Sequence, residues 1–385
     1  MIYLDYNATT PTDERVLKKM MPYFKDIYSN PSSVYRFAQE SKRAVEEARE
    51  NLAKLLNAEA SEIVFTSGGT ESDNTAIKGI ALAKEAKGKH IITSKIEHHA
   101  VLHACGFLES QGFEVTYLGV DQYGRINLKE LKESIRKDTI LVSIIYANNE
   151  VGTIQPIKEI ADICKSKGVC FHSDAVQAAG KVNIDLGVLG LDLLSLSGHK
   201  FYGPKGVGAL YVKKGLKFIP LLHGGGHERG RRSGTENVSG IVGLGEAARI
   251  AKLEIEDEGK RVKLLRDKLE QGILKSIPEV KANGDPDNRV FNTLNVCIRH
   301  IEGESILINL DFEGICASSG SACTSGSLEP SHVLLAMGIP AEIAHGSLRM
   351  SLGKHTNIKE IDKVLEALPP IVEKLRKISP FWQNK

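Results

Sequence analysis

The sequence predicts an α/β protein built on a mostly parallel sheet, and three observations support that prediction. Short apolar runs rich in β-branched residues alternate with longer segments of helical period, the pattern of repeated βαβ units. Each run gives way to polar or glycine-rich residues, as loops at a sheet edge require. At 385 residues the chain exceeds the length at which one hydrophobic core stops growing, so two domains are expected.

The elements follow in order. Strands are expected at residues 62–66, 90–94, 113–118, 140–146, 169–173 and 192–196. Residues 255–277 space Ile255, Val262, Leu265, Leu269, Ile273 and Ile277 by three, four and seven, which predicts one long amphipathic helix. Beyond it the alternation breaks and a new strand is expected at residues 293–298. A domain boundary is therefore placed near Ile255. The large domain covers residues 15–255, with a mostly parallel central sheet sandwiched by helices, and a smaller α+β domain combines residues 1–14 and 256–385.

Composition narrows the function. Fifty basic residues against forty-eight acidic ones give a formal charge of +2, with no basic block longer than short pairs, so no nucleic-acid footprint is present. No apolar run approaches the roughly 20 residues that cross a bilayer. The opening Met1-Ile2-Tyr3-Leu4-Asp5 lacks the basic and apolar regions of a signal peptide, so a cytoplasmic location is expected. The six cysteines, at 105, 164, 170, 297, 316 and 323, form neither a CxxC pair nor a Cys/His ligand spacing. No metal site is expected, and most of these thiols should be reduced core residues.

The chemistry gathers at the strand ends. The strand at 62–66 runs into Ser67-Gly68-Gly69-Thr70-Glu71 and then a helical segment, where freed amides at a helix start would bind phosphate. An ordinary turn with Thr70 as N-cap satisfies the same local pattern. Asp174 ends one strand and Lys200 follows the next, so a parallel sheet brings both to its carboxyl edge, where such sheets bind ligands. Pyridoxal phosphate needs this pair: an amine for a Schiff base, and a carboxylate to keep the ring nitrogen protonated. Taken alone, the two residues read as a turn cap and a solvated lysine. His98, Asn149 and Gln177 join them at neighbouring strand ends; an imidazole can stack on a pyridine ring and an amide can hydrogen-bond its phenolic oxygen.

Residues 4–11 (Leu-Asp-Tyr-Asn-Ala-Thr-Thr-Pro), 66–71 (Thr-Ser-Gly-Gly-Thr-Glu), 97–99 (Glu-His-His), 147–150 (Ala-Asn-Asn-Glu), 172–174 (His-Ser-Asp) and 197–200 (Ser-Gly-His-Lys) together resemble the class V aminotransferase family, and within it the cysteine desulfurases. The resemblance runs almost end to end. It implies a fold type I pyridoxal-phosphate enzyme in which Lys200 forms the Schiff base, Asp174 pairs with the ring nitrogen, His98 stacks on the ring and Gln177 bonds its phenolic oxygen. It further implies that Gly69, Thr70, Ser197 and His199 hold the phosphate. Thr235, after Arg232-Ser233-Gly234, would reach the phosphate of a partner subunit, which makes the enzyme a homodimer.

A transaminase has no use for a thiol, whereas a desulfurase needs a nucleophile for substrate sulfur. Cys323 lies among small residues, Ser318-Ser319-Gly320-Ser321-Ala322-Cys323-Thr324-Ser325-Gly326-Ser327, within a loop of about residues 316–330 that is expected to move. That stretch resembles the group I desulfurases, the branch of the nitrogen-fixation and housekeeping iron–sulfur assembly enzymes. Arg349 matches the family's arginine for the substrate carboxylate, with Asn149 assisting. The implied reaction takes L-cysteine to L-alanine, with Lys200 or His98 moving the α proton and Cys323 receiving the sulfur as a persulfide. The implied acceptors are an iron–sulfur scaffold protein or a tRNA-thiolation partner, and Cys323 could also contact an iron–sulfur cluster. Two departures stand out: longer members continue past the position of Lys385 into a tail implicated in scaffold docking, and Gly69 stands where many relatives have alanine.

Overall fold

The computed structural model describes residues 1–319, 329–380 and 382. Twelve strands appear among them: β1 (Ile2–Tyr3), β2 (Ile63–Thr66), β3 (His90–Ser94), β4 (Glu114–Leu118), β5 (Thr139–Ser143), β6 (Cys170–Asp174), β7 (Leu193–Ser197), β8 (Gly208–Val212), β9 (Val280–Asn283), β10 (Thr293–Ile298), β11 (Ile315–Cys316) and β12 (Ser347–Ser351). Seven form the main sheet in the order β2-β8-β7-β6-β5-β3-β4. Only β8, which the sequence reading did not anticipate, runs against its neighbours β2 and β7. The carboxyl ends of the other six strands therefore share one edge.

The expected strands are found with small shifts that matter for the site. Residues 169–173 and 192–196 each move on by one, so Asp174 and Ser197 become the last residues of β6 and β7. Residues 140–146 shorten to Thr139–Ser143. Residues 144–146 stay buried beyond the strand, with the Ile145 amide turned to the Glu97 carboxylate at 2.9 Å instead of a ladder partner.

Each face of the sheet is covered by helices. The helices Gly69–Lys84 and His99–Ser110 pack Ile77, Ile80, Val101 and Leu108 on Ile91, Leu141 and Leu193. On the other face, the helices Arg36–Leu56 and Ile157–Lys167 pack with the first half of a 39-residue helix, Val238–Ser276. That helix begins 17 positions before the expected residue 255. Its first half holds Gly243 and Gly245, which weaken the helical signal in a sequence. Space explains them: a Cβ on Gly245 would lie 2.4 Å from the Ala48 Cα, and one on Gly243 2.5 Å from the Met20 sulfur.

The second half of the same helix sends Val262, Leu265, Leu269 and Ile273 into a different core. That core is closed by the antiparallel sheet β12-β10-β9, by the helices Gly303–Phe312 and Ile358–Ile378, and by Ile2 and Leu4 from the N-terminus. The parallel pairing of β1 with β11 ties that N-terminal end down. The chain then turns back across the edge of the main sheet, where the Thr10 amide donates to the His199 carbonyl at 2.9 Å. No helix among the described residues is long and apolar enough to cross a membrane.

Candidate active site

Lys200 closes a short 3₁₀ turn after β7. Its Nζ donates to the carbonyls of Asn7 at 2.7 Å and Ala8 at 2.8 Å. Asp174, at the end of β6, is buried and accepts from the Val176 amide at 2.9 Å. Burial pushes its carboxyl up to about 6, against the pull of the Val176 amide and the Lys200 charge. Beneath it lies a second acid that the sequence reading missed. Asp73, buried on the helix Gly69–Lys84, sits 3.6 Å from the His172 Nε2. Burial and the nearby Asp174 hold its carboxyl well above the usual range.

His98 caps the helix His99–Ser110, and its Nδ1 accepts the Ala100 N–H at 3.1 Å. That bond fixes the neutral tautomer with its proton on Nε2. Burial, followed by the Lys200 charge, drives the imidazole down to about 4, so the ring is uncharged at neutral pH. Gln177 is buried, with Nε2 donating to the Asn7 carbonyl at 2.8 Å.

The start of the helix Gly69–Lys84 lies beside the carboxyl end of β7. Its N-cap is Gly68, and Thr70 is its second residue rather than its cap. A Cβ on Gly69 would lie 2.6 Å from the Val176 Cγ2 and 3.6 Å from the Ser197 Cβ, so the bare glycine lets the helix start close in on the turn after β6 and the end of β7. Ser197 is buried there, and the His199 Nδ1 meets the Thr9 hydroxyl at 3.1 Å. Arg232 pairs with Glu71 of the same helix at 2.9 Å, which ties the segment leading to the exposed Thr235 to this end of the site.

Arg349, on β12, completes the group. Its Nη2 meets the Asp5 carboxylate at 2.8 Å, its Nη1 donates to the Asn149 carbonyl at 3.1 Å, and its buried Nε has no partner. Every predicted site residue except Cys323 is thus described, and Cys323 lies outside the described residues. Asn7 was missed as well, yet it is the hub. It accepts from Lys200 and Gln177 on its carbonyl, donates its side-chain amide to the Asn149 carbonyl at 3.2 Å and the Thr293 hydroxyl at 2.8 Å, and donates its backbone N–H to the Ser351 hydroxyl oxygen at 2.9 Å.

Two buried glutamates flank this network. Glu97 accepts from Ser94 and from the Ile145 amide, and burial lifts its carboxyl to about 8; Glu150 bonds Ser331 at 2.5 Å and is lifted by burial to about 7. An acid raised above its ordinary 4.5 contributes stability below that pH and loses it as pH rises through the folded value. We therefore expect the apoprotein to lose several kcal/mol between about pH 4.5 and 8, and Glu97→Gln to flatten that loss, with urea unfolding across this range as the measurement. A variant with the parental slope would remove Glu97 as its source.

A family model described as Aminotransferase class-V matches residues 2–364. The chain belongs to this family. It is 59% identical to "Cysteine desulfurase IscS" of Methanosarcina thermophila over 99% of this chain and 94% of that one. Against the protein of the same name from Clostridium botulinum it is 54% identical, over 100% and 97%. Among solved structures, a "NIFS-LIKE PROTEIN" superposes with a TM-score of 0.92 at 41% identity, covering 97% of this chain and all of that one. "SspA in complex with cysteine" superposes with a TM-score of 0.83 at 40% identity, over 93% and 100%.

The family depends on pyridoxal phosphate, and the donor set fits that group. An amine, a buried carboxylate, a neutral imidazole, a donating amide and a glycine-lined helix start all face one edge. The fold is fold type I, as the sequence reading expected.

Proposed function

We infer that sulfur leaves L-cysteine at this edge and is taken up by Cys323. The chain is a pyridoxal-phosphate-dependent cysteine desulfurase. When bound, the cofactor supplies an electron sink for the substrate carbon. Lys200 would hold it covalently, Asp174 would pair with its ring nitrogen, His98 would lie against the ring and Gln177 would donate to the phenolic oxygen. Thr70, Ser197, His199 and the amides freed at Gly69 would take the phosphate, and Thr235 would complete the phosphate site of the partner in a homodimer. The fork of Arg349 takes the substrate carboxylate, with Asn149 beside it.

The proton inventory favours Lys200 over His98 as the base. His98 uses its Nδ1 lone pair on the Ala100 N–H and carries a proton on Nε2, so it has no site left to accept another at neutral pH. The Lys200 Nζ is the group that would take the α proton. The Cys323 thiolate then attacks the substrate sulfur. A sulfur–sulfur bond forms, the substrate carbon–sulfur bond breaks, and its electron pair stays on the β carbon, which takes up a proton; Lys200 gives the α proton back and L-alanine leaves.

One observation supports Cys323 most directly: the segment bearing it is rooted in the substrate site at both ends. Upstream, Ser318 exchanges backbone hydrogen bonds with Arg349 at 2.7 and 3.0 Å. Downstream, Ser331 bonds Glu150, the neighbour of Asn149, and His332 meets the Glu97 carbonyl at 3.0 Å.

The resemblance of residues 318–327 to group I enzymes supports delivery to an iron–sulfur scaffold or tRNA-thiolation acceptor in the cytoplasm. The two separate cores support a large domain over 15–255 and a small one from 1–14 and 256–385. Brief exposure to L-cysteine should add one sulfur atom to the peptide containing residue 323, read by mass spectrometry under non-reducing conditions. Label on any other cysteine, with none at 323, would refute the assignment.

A further inference from the structure

We propose that Lys181 is a positioning residue that fixes the Gln177 side chain with its NH₂ group, not its oxygen, facing the cofactor. The inference rests on the assignment of Gln177 to the ring oxygen made above. The Lys181 Nζ lies 2.7 Å from the Gln177 Oε1 and 3.3 Å from the Asn7 Oδ1. An ammonium only donates, so the Gln177 atom that faces it is the oxygen. The NH₂ group then points away, spends one hydrogen on the Asn7 carbonyl at 2.8 Å, and keeps one for the site.

The second partner of Lys181 is fixed independently. The Asn7 Nδ2 faces the Asn149 carbonyl and the Thr293 hydroxyl, and the Asn292 amide donates to the Asn7 Oδ1 at 3.1 Å, so the Asn7 atom turned toward Lys181 is its oxygen. Two acceptors thus converge on one amine among buried residues. Burial and the neighbouring Lys200 drive Lys181 down to about 7, with Arg349 acting the same way and Glu258 opposing. Two hydrogens suffice for two acceptors, so the contacts persist when the amine is neutral.

The consequence is chemical. The Asn7 carbonyl also receives the Lys200 Nζ, so it cannot be the sole tether of Gln177 while Lys200 changes partners during turnover. With Oε1 held by Lys181, Gln177 presents a donor throughout and favours an ionised ring oxygen over a hydroxyl. Without it the bare Oε1 is free to turn into the site and favour the hydroxyl form.

Two readouts test this besides activity: the affinity of the apoenzyme for pyridoxal phosphate, and the ratio of visible to near-ultraviolet absorption of the reconstituted holoenzyme. Lys181→Met is expected to weaken binding roughly tenfold, the equivalent of about one hydrogen bond to a charged group, and to lower the ratio. Lys181→Arg, which keeps the donors, is expected to restore both. Lys181→Gln, whose amide can turn either edge to Gln177, is expected to fall between, and it serves as the readout should the methionine variant fail to fold. In a Gln177→Ala background Lys181→Met is expected to add nothing.

Wild-type affinity and ratio in both Lys181→Met and Lys181→Gln would overturn the proposal, as would an undiminished effect in the Gln177→Ala background. Gln177→Ala with an unchanged spectrum would instead sink the placement of Gln177 at the ring oxygen.

Discussion

Lys200→Ala is expected to yield no measurable alanine from L-cysteine, a fall in turnover of more than about 10⁴-fold. Proton transfer by a positioned side chain is worth roughly 10²–10⁴ by itself, and here the covalent hold on the cofactor disappears with it. The neutral His98 cannot substitute, because its Nδ1 is taken by the Ala100 amide and its Nε2 is already protonated. The variant should still fold. Lys200 meets the chain through the carbonyls of Asn7 and Ala8, and Lys200→Arg, which preserves donors to both, separates loss of chemistry from loss of that anchor. Alanine release by amino-acid analysis is the measurement. Turnover within tenfold of the parent in either variant would mean that another amine does the work, and Lys181 would be the first to examine.

The sheet was legible because its strands are short, β-branched and closed by polar residues, and because parallel strands send consecutive loops to one edge. That is why Asp174, Lys200, His98 and Gln177 could be brought together from their positions in the chain alone. β8 escaped because antiparallel insertion leaves no mark of its own in a run such as Gly208–Val212, which is as apolar as its parallel neighbours. The first half of Val238–Ser276 escaped because its glycines serve close packing on Ala48 and Met20, a demand of the partner helix rather than of the segment itself.

Within the site, the missing residues share a cause. Asn7 and Asp5 act at the edge of the main sheet only because β1 pairs with β11 and sends the chain back over it, a pairing across more than 300 positions. Asn7, Glu97 and Glu150 all lay inside segments that the sequence had already marked, but nothing local separates a buried carboxyl from a solvated one. Asp73 and Lys181 lay in helical or turn stretches with ordinary polarity. Their significance comes from what faces them, namely His172 and Asp174 for one and Gln177 and Asn7 for the other.

Cys323→Ala is expected to keep cofactor and substrate binding and to lose sulfur transfer. In the proposed assignment, substrate recognition belongs to Arg349 and Asn149, and the cofactor anchors are Lys200 and Asp174. The colour of the holoenzyme and its change on adding L-cysteine should therefore match the parent. Sulfide release should fall by more than roughly 10³-fold, because a positioned thiol acts at an effective molarity of up to roughly 10⁵–10⁸ M and a dissolved reductant at millimolar concentration cannot replace it. The roots of the segment sharpen the expectation. Ser318 is paired to Arg349 and Ser331 to Glu150, so alanine at 323 leaves both anchors in place and removes only the sulfur. Sulfide release at the parental rate, with the same spectral change, would show that the reductant takes the sulfur directly. The thiol would then have no part in the reaction, although the site around Lys200 would stand as described.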